Sequence, residues 1–312
     1  MASWLTMLLP LALLMHAVAG NVCLMLYQMA DNNLEYFIRQ DNFELSISPV
    51  IQTSSMTTWI YFDHRNFQGT FEDITTPLRN VFESDGSAVN GRKPTQSQYI
   101  RWDHSLGKMV IDRTLASEQD GDNPATLTQF LVTALEDCIA KGSTEFFLIM
   151  SSHGGGFDGF GGDEHTRRQL RNLTQSNSNI ASGMKAALTQ VAGAPDRFDV
   201  LGFDSCLMQA VGAADDYQDV AKYLLASEAV EPGHGWAYNI LRDGDSALEL
   251  ARDIQSSYLE STHGQSIHMI PKTLSILDLS KFIVFLETWN YLSAELRGLM
   301  ISKDSEVLTQ LN

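Results

Sequence analysis

Phe198-Asp199-Val200-Leu201-Gly202-Phe203-Asp204-Ser205-Cys206-Leu207-Met208 is the stretch whose reading decides the fold. It is a short apolar run that stops at a carboxylate and a thiol. Leu207, Ala210, Val211, Ala214, Tyr217, Val220 and Leu224 then recur at three- and four-residue steps, the spacing of one apolar helix face. Cys206 is therefore expected where a buried strand ends and a helix begins. The N–H groups of a helix N-terminus would favour its thiolate, the reactive form.

A second segment has the same shape. Glu145-Phe146-Phe147-Leu148-Ile149-Met150 is apolar and runs into Ser151-Ser152-His153, followed by Gly154-Gly155-Gly156. Two buried strands thus deliver a thiol and an imidazole, each at a carboxyl end. In an open α/β sheet that edge is where ligands bind. A lone cysteine is most often a buried structural one, and a lone loop histidine is most often simply hydrogen-bonded. Their matching placement favours a Cys206–His153 pair, with the glycines exposing main-chain N–H groups to a developing oxyanion.

Outward from these two strands the pattern alternates. Strands are expected at Asn21 to Met29, Thr57 to Phe62 and Leu274 to Asp278, with a further short strand at Tyr223 to Ser227. Helices are expected from Leu34, from Asn123-Pro124, from Ile180, from Asp245 or Ser246, and from Lys281 onward. Residues 64–122 are polar and turn-rich, with weak strand signals such as Tyr99-Ile100-Arg101-Trp102. The alternation implies an α/β fold with a mainly parallel sheet and right-handed crossovers. No repeat or low-complexity linker divides the chain, so residues 20–312 read as a single domain.

The 312 residues carry 21 Lys and Arg against 38 Asp and Glu, a formal charge of −17. That balance argues against nucleic acid and anionic membranes as partners. Trp4 to Val18 is nearly all apolar, and Ala17-Val18-Ala19 fits a small-x-small cleavage site. Residues 1–19 are accordingly expected to be a cleaved signal peptide, too short for a span, leaving a secreted chain. Three cysteines leave one over if two pair. Cys23 and Cys138 either form a disulfide or stay buried thiols; Cys206 is the natural free one. Asn172-Leu173-Thr174 is a glycosylation sequon.

Other motifs fall away. Gly154-x-Gly156-x-x-Gly159 matches the dinucleotide fingerprint, but loop rather than helix follows it. His153-Gly154-Gly155-Gly156 matches an esterase oxyanion loop, yet there is no Gly-x-Ser-x-Gly elbow. A serine esterase is the weaker reading. No Cys-x-x-Cys or His-Glu-x-x-His offers metal-ligand spacing. His64, His104, His165, His263 and His268 form no constellation and are placed at the surface. Asp204 is a puzzle: a carboxylate so near a thiol raises the thiol pKa and opposes its activation. Holding a cationic side chain is the obvious use for it.

These residues resemble the clostripain family of cysteine peptidases, in the wider clan of caspases, legumains and gingipains. The matching words are Ser152-His153-Gly154-Gly155-Gly156, Leu201-Gly202-Phe203-Asp204-Ser205-Cys206-Leu207-Met208 and Ala226-Ser227-Glu228 through Glu231-Pro232-Gly233-His234-Gly235-Trp236. Leu26 to Leu34 resembles the family's opening strand, and the likeness covers roughly residues 21–278. It implies a caspase-like three-layer sandwich and a dyad of His153 and Cys206. It also implies an oxyanion hole from the main-chain N–H groups of Gly154 and Cys206, and cleavage of polypeptides after Arg or Lys with Asp204 in the primary pocket. A second pocket acid of the family would fall on His234, a departure from its pattern. Members self-cleave after the catalytic histidine, which points here to Arg167 or Arg168, and some use calcium. A catalytically silent binding protein on the same scaffold is the alternative from another class.

Overall fold

The computed structural model describes residues 21–64, 96–163, 175–242, 246–260 and 272–302. The expected signal peptide, Arg167, Arg168, Asn172, His165, His263 and His268 lie outside them.

Elements appear in the order β1 (Val22–Met29), α1 (Glu35–Ile47), α2 (Pro49–Gln52), β2 (Met56–His64), β3 (Gln96–Asp103), β4 (Lys108–Thr114), α3 (Pro124–Ala140), β5 (Glu145–Ser151), α4 (Asn177–Gln190), β6 (Phe198–Asp204), α5 (Val211–Tyr217), β7 (Ala221–Ala226), α6 (Ala247–Glu260), β8 (Ser275–Asp278) and α7 (Leu279–Ser302). One eight-stranded sheet runs β4-β3-β2-β1-β5-β6-β7-β8. Strands β2, β1, β5, β6 and β7 are parallel neighbours. The antiparallel strands β3 and β4 lie at one edge and β8 at the other.

The sheet is covered on both faces, which is why its central strands are continuous apolar runs. Side chains alternate along β1: Cys23, Met25, Tyr27 and Met29 pack with α3, α4 and α5, while Val22, Leu24 and Leu26 pack with α1, α2 and α6. This is the α/β fold with a mainly parallel sheet that the strand–helix alternation implied, in the three-layer form that the family resemblance implied. Asn123 caps α3 by accepting the Ala125 N–H at 3.0 Å, and Ser246 accepts the Glu249 N–H at 3.2 Å at the start of α6. A Cys23–Cys138 disulfide ties β1 to α3, which resolves the alternative that spacing left open.

Two expectations change, and one weak strand signal is borne out. Cys206 does not open a helix. Residues 205–209 form a turn, Leu207 has φ 65°, and α5 begins only at Val211. The apolar spacing that suggested one helix belongs partly to β7, where Leu224 pairs with β6 and β8. A buried parallel strand and a helix face are both apolar, so periodicity alone does not separate them. The weak signals around Tyr99 prove to be the β3–β4 hairpin; β4 is largely exposed at the sheet edge and so carries few apolar residues. His64 is fully buried and stacked on Phe62 at 4.6 Å. Burial holds its pKa down at about 3, with Arg39 adding to the effect.

Candidate active site

The geometry starts from register. β5 and β6 are adjacent and parallel, and Ser151 pairs with Asp204 at their shared carboxyl end. His153 and Cys206 each follow two residues later, so their loops leave the sheet side by side. The order β2-β1-β5 also reverses direction beside them, the switch point at which an open parallel sheet forms a crevice. Gly154 is required by close approach: a Cβ there would lie 2.1 Å from the main-chain oxygen of Cys206. No side chain fits between the two loops at this point.

Cys206 and His153 line one cleft of about 260 Å³. The Cys206 thiol is half-buried and is the free cysteine of the three. Its main-chain donor comes from an unexpected place. The Glu231 N–H points at Sγ at 3.3 Å, supplying what a helix N-terminus was expected to supply.

His153 is oriented from β1. Its Nε2 lies 2.6 Å from Asn33 Oδ1. An amide oxygen only accepts, so this bond places the ring proton on Nε2 and the basic lone pair on Nδ1. Asn32, the preceding residue, fastens the same loop. Its Nδ2 donates to Met29 O, Ser152 Oγ and Gly162 O at 2.9, 3.1 and 2.8 Å. The ends of β1 and β5 and the loop after His153 are thereby tied together around the imidazole.

Beside the dyad, the cleft is lined by Asp204, Asp41 and Glu231, all nearly inaccessible to solvent. Asp204 Oδ2 accepts the Tyr238 hydroxyl at 2.8 Å and the Trp236 N–H at 3.5 Å. Gly235, at φ +55°, brings the turn so close that a Cβ would stand 2.7 Å from Asp204 Oδ1. Burial pushes Asp204 up to about 6, against these stabilising hydrogen bonds. Burial likewise raises Glu231, and the charge of Asp204 adds to it. Glu231 Oε2 is buried without a hydrogen-bond partner. Asp41 is raised by burial, then by Asp204 and Glu44. Three buried carboxyls this close together cannot all ionise without a counter-charge.

His234, the residue at the family's second acidic position, does not line this cleft. It is exposed and meets Phe37 edge-on at 5.2 Å. The carboxylates there are Asp41 from α1 and Glu231 from three residues earlier in the same turn. Sequence reasoning passed over both, and Asn33 as well. Asn33 stands at the carboxyl end of β1, beside the histidine strand, and that placement was the signal for it. Nothing in the sequence around Asp41 marked it, since only the packing of α1 on the sheet brings it to Asp204. The described acids that could hold a metal, Asp31, Glu118 and Asp163, are not among the residues lining the cleft.

Solved structures share the architecture. A C11 protease from Parabacteroides distasonis, described as an inactive zymogen, is 17% identical over 84% of this chain and 63% of its own, with a TM-score of 0.55. A secreted C11 cysteine protease from Bacteroides thetaiotaomicron, in complex with an irreversible peptide inhibitor, is 17% identical over 84% of this chain and 67% of its own, with a TM-score of 0.57. At that identity the likeness carries the fold. The chain spans about two thirds of the length of these relatives. No curated protein sequence matches it. The model of the clostripain family matches residues 26–310, so the likeness of the histidine and cysteine words is one of descent, and the chain belongs to the clostripain family.

Proposed function

We propose that this chain is a secreted cysteine endopeptidase that hydrolyses peptide bonds after Arg or Lys. The observation that carries the reading is one cleft in which Cys206 and His153 open onto Asp204, Glu231 and Asp41. Cys206 thiolate attacks the scissile carbonyl. The oxyanion that forms takes hydrogen bonds from the main-chain N–H groups of Gly154 and Cys206. His153 gives a proton to the leaving amine, the C–N bond breaks, and the acyl group stays on sulfur. Water then attacks the thioester, His153 takes its proton, and Cys206 leaves as thiolate. A guanidinium or ammonium entering the cleft favours the ionised form of these buried carboxyls. Secretion and self-processing are supported by the apolar N-terminus and by relatives described as secreted and as a zymogen.

The test is a peptidyl electrophile series differing only in the residue before the reactive group. Arg and Lys reagents should label Cys206 in the folded protein, Asp and Asn reagents should not, and Cys206→Ala should take no label. Labelling by the Asp reagent in preference to Arg would refute the pocket assignment. No labelling by any member, with peptides bound but not cut, would leave the catalytically silent binding protein as the correct reading.

A further inference from the structure

Helix α7 has 24 residues, from Leu279 to Ser302. Its first turns are anchored: Leu279, Phe282 and Leu286 are buried in the core on the α3, α4 and α5 face of the sheet. Every residue from 287 to 298 is exposed. About three turns of helix without tertiary packing are marginal in water, because helices are held mostly by packing an apolar face. The face concerned is well defined. Phe282, Phe285, Trp289, Leu292 and Leu296 recur at steps of three and four, the spacing of a seam between paired helices. Phe282 is buried, and the other four are 38–48% exposed. Stacked rings carry the stripe out of the core, Phe282 on Phe285 at 5.5 Å and Phe285 on Trp289 at 5.9 Å. At its base lies a groove of about 510 Å³ lined by Ala210, Val211, Ala214, Leu277, Phe282 and Phe285.

Charge, area and residue order all suit a second copy of the same helix. α7 carries Lys281 and Arg297 against Glu287 and Glu295, so it is neutral in a chain of formal charge −17. Two copies meet there without the repulsion that so acidic a chain imposes elsewhere. Aromatic side chains present roughly 150–250 Å² each, so the exposed parts of Phe285, Trp289, Leu292, Leu296 and Val211 offer on the order of 400 Å² of apolar surface per copy. That is the apolar share of a standard interface, about 800 Å² per partner and somewhat more than half non-polar. The stripe is also ordered, with its aromatics nearer the helix start and its leucines nearer the end. Parallel pairing would set Trp289 against Trp289 and leave leucine against leucine. Antiparallel pairing sets every aromatic against a leucine, so the layers have even volume and the helix dipoles oppose.

We propose that two copies of this chain pair through α7, antiparallel about a two-fold axis between Asn290 and Tyr291. The contact is isologous, the same stripe on both copies. Trp289 packs on Leu292 of the partner subunit, and Phe285 packs on Leu296 of the partner subunit. The second layer lies at the mouth of the groove, so the partner's helix covers Val211 and Phe285 while its own stripe is covered in return. Ile283, Val284 and Tyr291 are exposed on other sides of the helix and take no part. Pairing does not depend on the chemistry of Cys206.

The experiment uses the full chain carrying Cys206→Ala, which removes the free thiol and leaves the Cys23–Cys138 bridge. Sedimentation from about 0.1 to about 100 µM should show twice the single-chain mass, with a dissociation constant on the order of 1 µM. Adding Trp289→Ser and Leu292→Ser should weaken pairing at least about tenfold with circular dichroism of the body unchanged, since both residues are exposed. Direction is read by cross-linking. Trp289→Cys protein mixed with Leu292→Cys protein should form a covalent dimer when copper–phenanthroline and oxygen oxidise the two thiols, and neither protein should do so alone. A single-chain mass at about 100 µM would overturn pairing, whether residues 287–298 exchange freely or are covered by another part of the chain. A dimer untouched by the serine pair would overturn α7 as its contact. Cross-linking of either cysteine protein alone would overturn the antiparallel arrangement.

Discussion

The Glu231 main-chain N–H lies 3.3 Å from Cys206 Sγ, while the Glu231 side chain stands in the carboxyl cluster with Asp204. One residue thus touches the Cys206 thiol through its backbone and the carboxyl cluster through its side chain. Replacing the side chain separates the two roles. Glu231→Gln should leave alkylation of Cys206 by a small neutral reagent within about twofold of wild type. It should lower kcat/KM for an Arg peptide by about 10–100-fold. Asp204→Asn should cost more, roughly 2–5 kcal/mol of transition-state binding. Equal losses on Arg and on a neutral P1 peptide would show that neither acid reads charge.

The dyad makes a sharper demand. Cys206→Ala and His153→Ala should each lower peptide hydrolysis by about 10⁴ or more with the fold intact by circular dichroism. Asn33 is predicted to act as a positioning residue, through its contact with His153 Nε2. Asn33→Ala should lower kcat about 10–100-fold with KM little changed, because the ring loses its fixed tautomer but the pocket does not change. Asn33→Asp should restore much of the rate, since a carboxylate also accepts from Nε2. An unchanged kcat in Asn33→Ala would remove it from the site.

Asp204 is raised to about 6 by burial, so kcat/KM for Arg substrates should fall about tenfold per pH unit below 6 and level off above it. Stability runs the other way. A carboxyl whose folded pKa is raised costs stability at every pH above its unfolded value, near 3.8, and the cost is complete above 6. At about 1.4 kcal/mol per unit the penalty is roughly 3 kcal/mol at neutral pH. Asp204→Asn should therefore melt above wild type at pH 8, with the difference vanishing near pH 4. Calorimetry across that range checks the sign; a less stable Asp204→Asn at pH 8 contradicts the argument.

The Cys23–Cys138 bridge closes a separation of 115 residues. Loop entropy at that length corresponds to about 4–5 kcal/mol, and measured losses for native disulfides run about 2–5 kcal/mol. The Cys23→Ala, Cys138→Ala protein should lose that amount in urea denaturation. Cys206 labelling should persist in the folded fraction, because the bridge lies in the β1–α3 core. A loss under about 1 kcal/mol would mean the unfolded chain is already compact.

Processing is checked by mass. Wild-type protein should yield two chains cut after Arg167 or Arg168, and Cys206→Ala should yield one. A glycan on Asn172 would crowd a cut after Arg171, which is why the earlier pair is preferred. A single uncut chain with full activity would show that this enzyme needs no cut.

The α/β class, the parallel core and the meeting of His153 with Cys206 were legible in the sequence. Buried parallel strands must be apolar throughout, and residues that follow two such strands in the same way must emerge together at one edge. The Gly154 approach and the turn from Glu231 to Trp236 were legible as words for the same reason, since short segments of fixed backbone carry their own residues. What surrounds the dyad was not. Asp41 reaches Asp204 from a helix over 160 residues earlier, and Asp31, Glu118 and Asp163 come from three separated segments. No spacing in the chain announces such groups, because their distances are set by how helices and loops pack on the sheet. The apolar run from Leu207 to Leu224 misled for a related reason: burial makes strand and helix look alike, so the spacing draws the helix too long on both sides, although a short strand at Tyr223 to Ser227 is legible and the register of β7 between β6 and β8 bears it out. Local pattern determined which elements form and where the nucleophile stands; long-range packing decided which charges it faces.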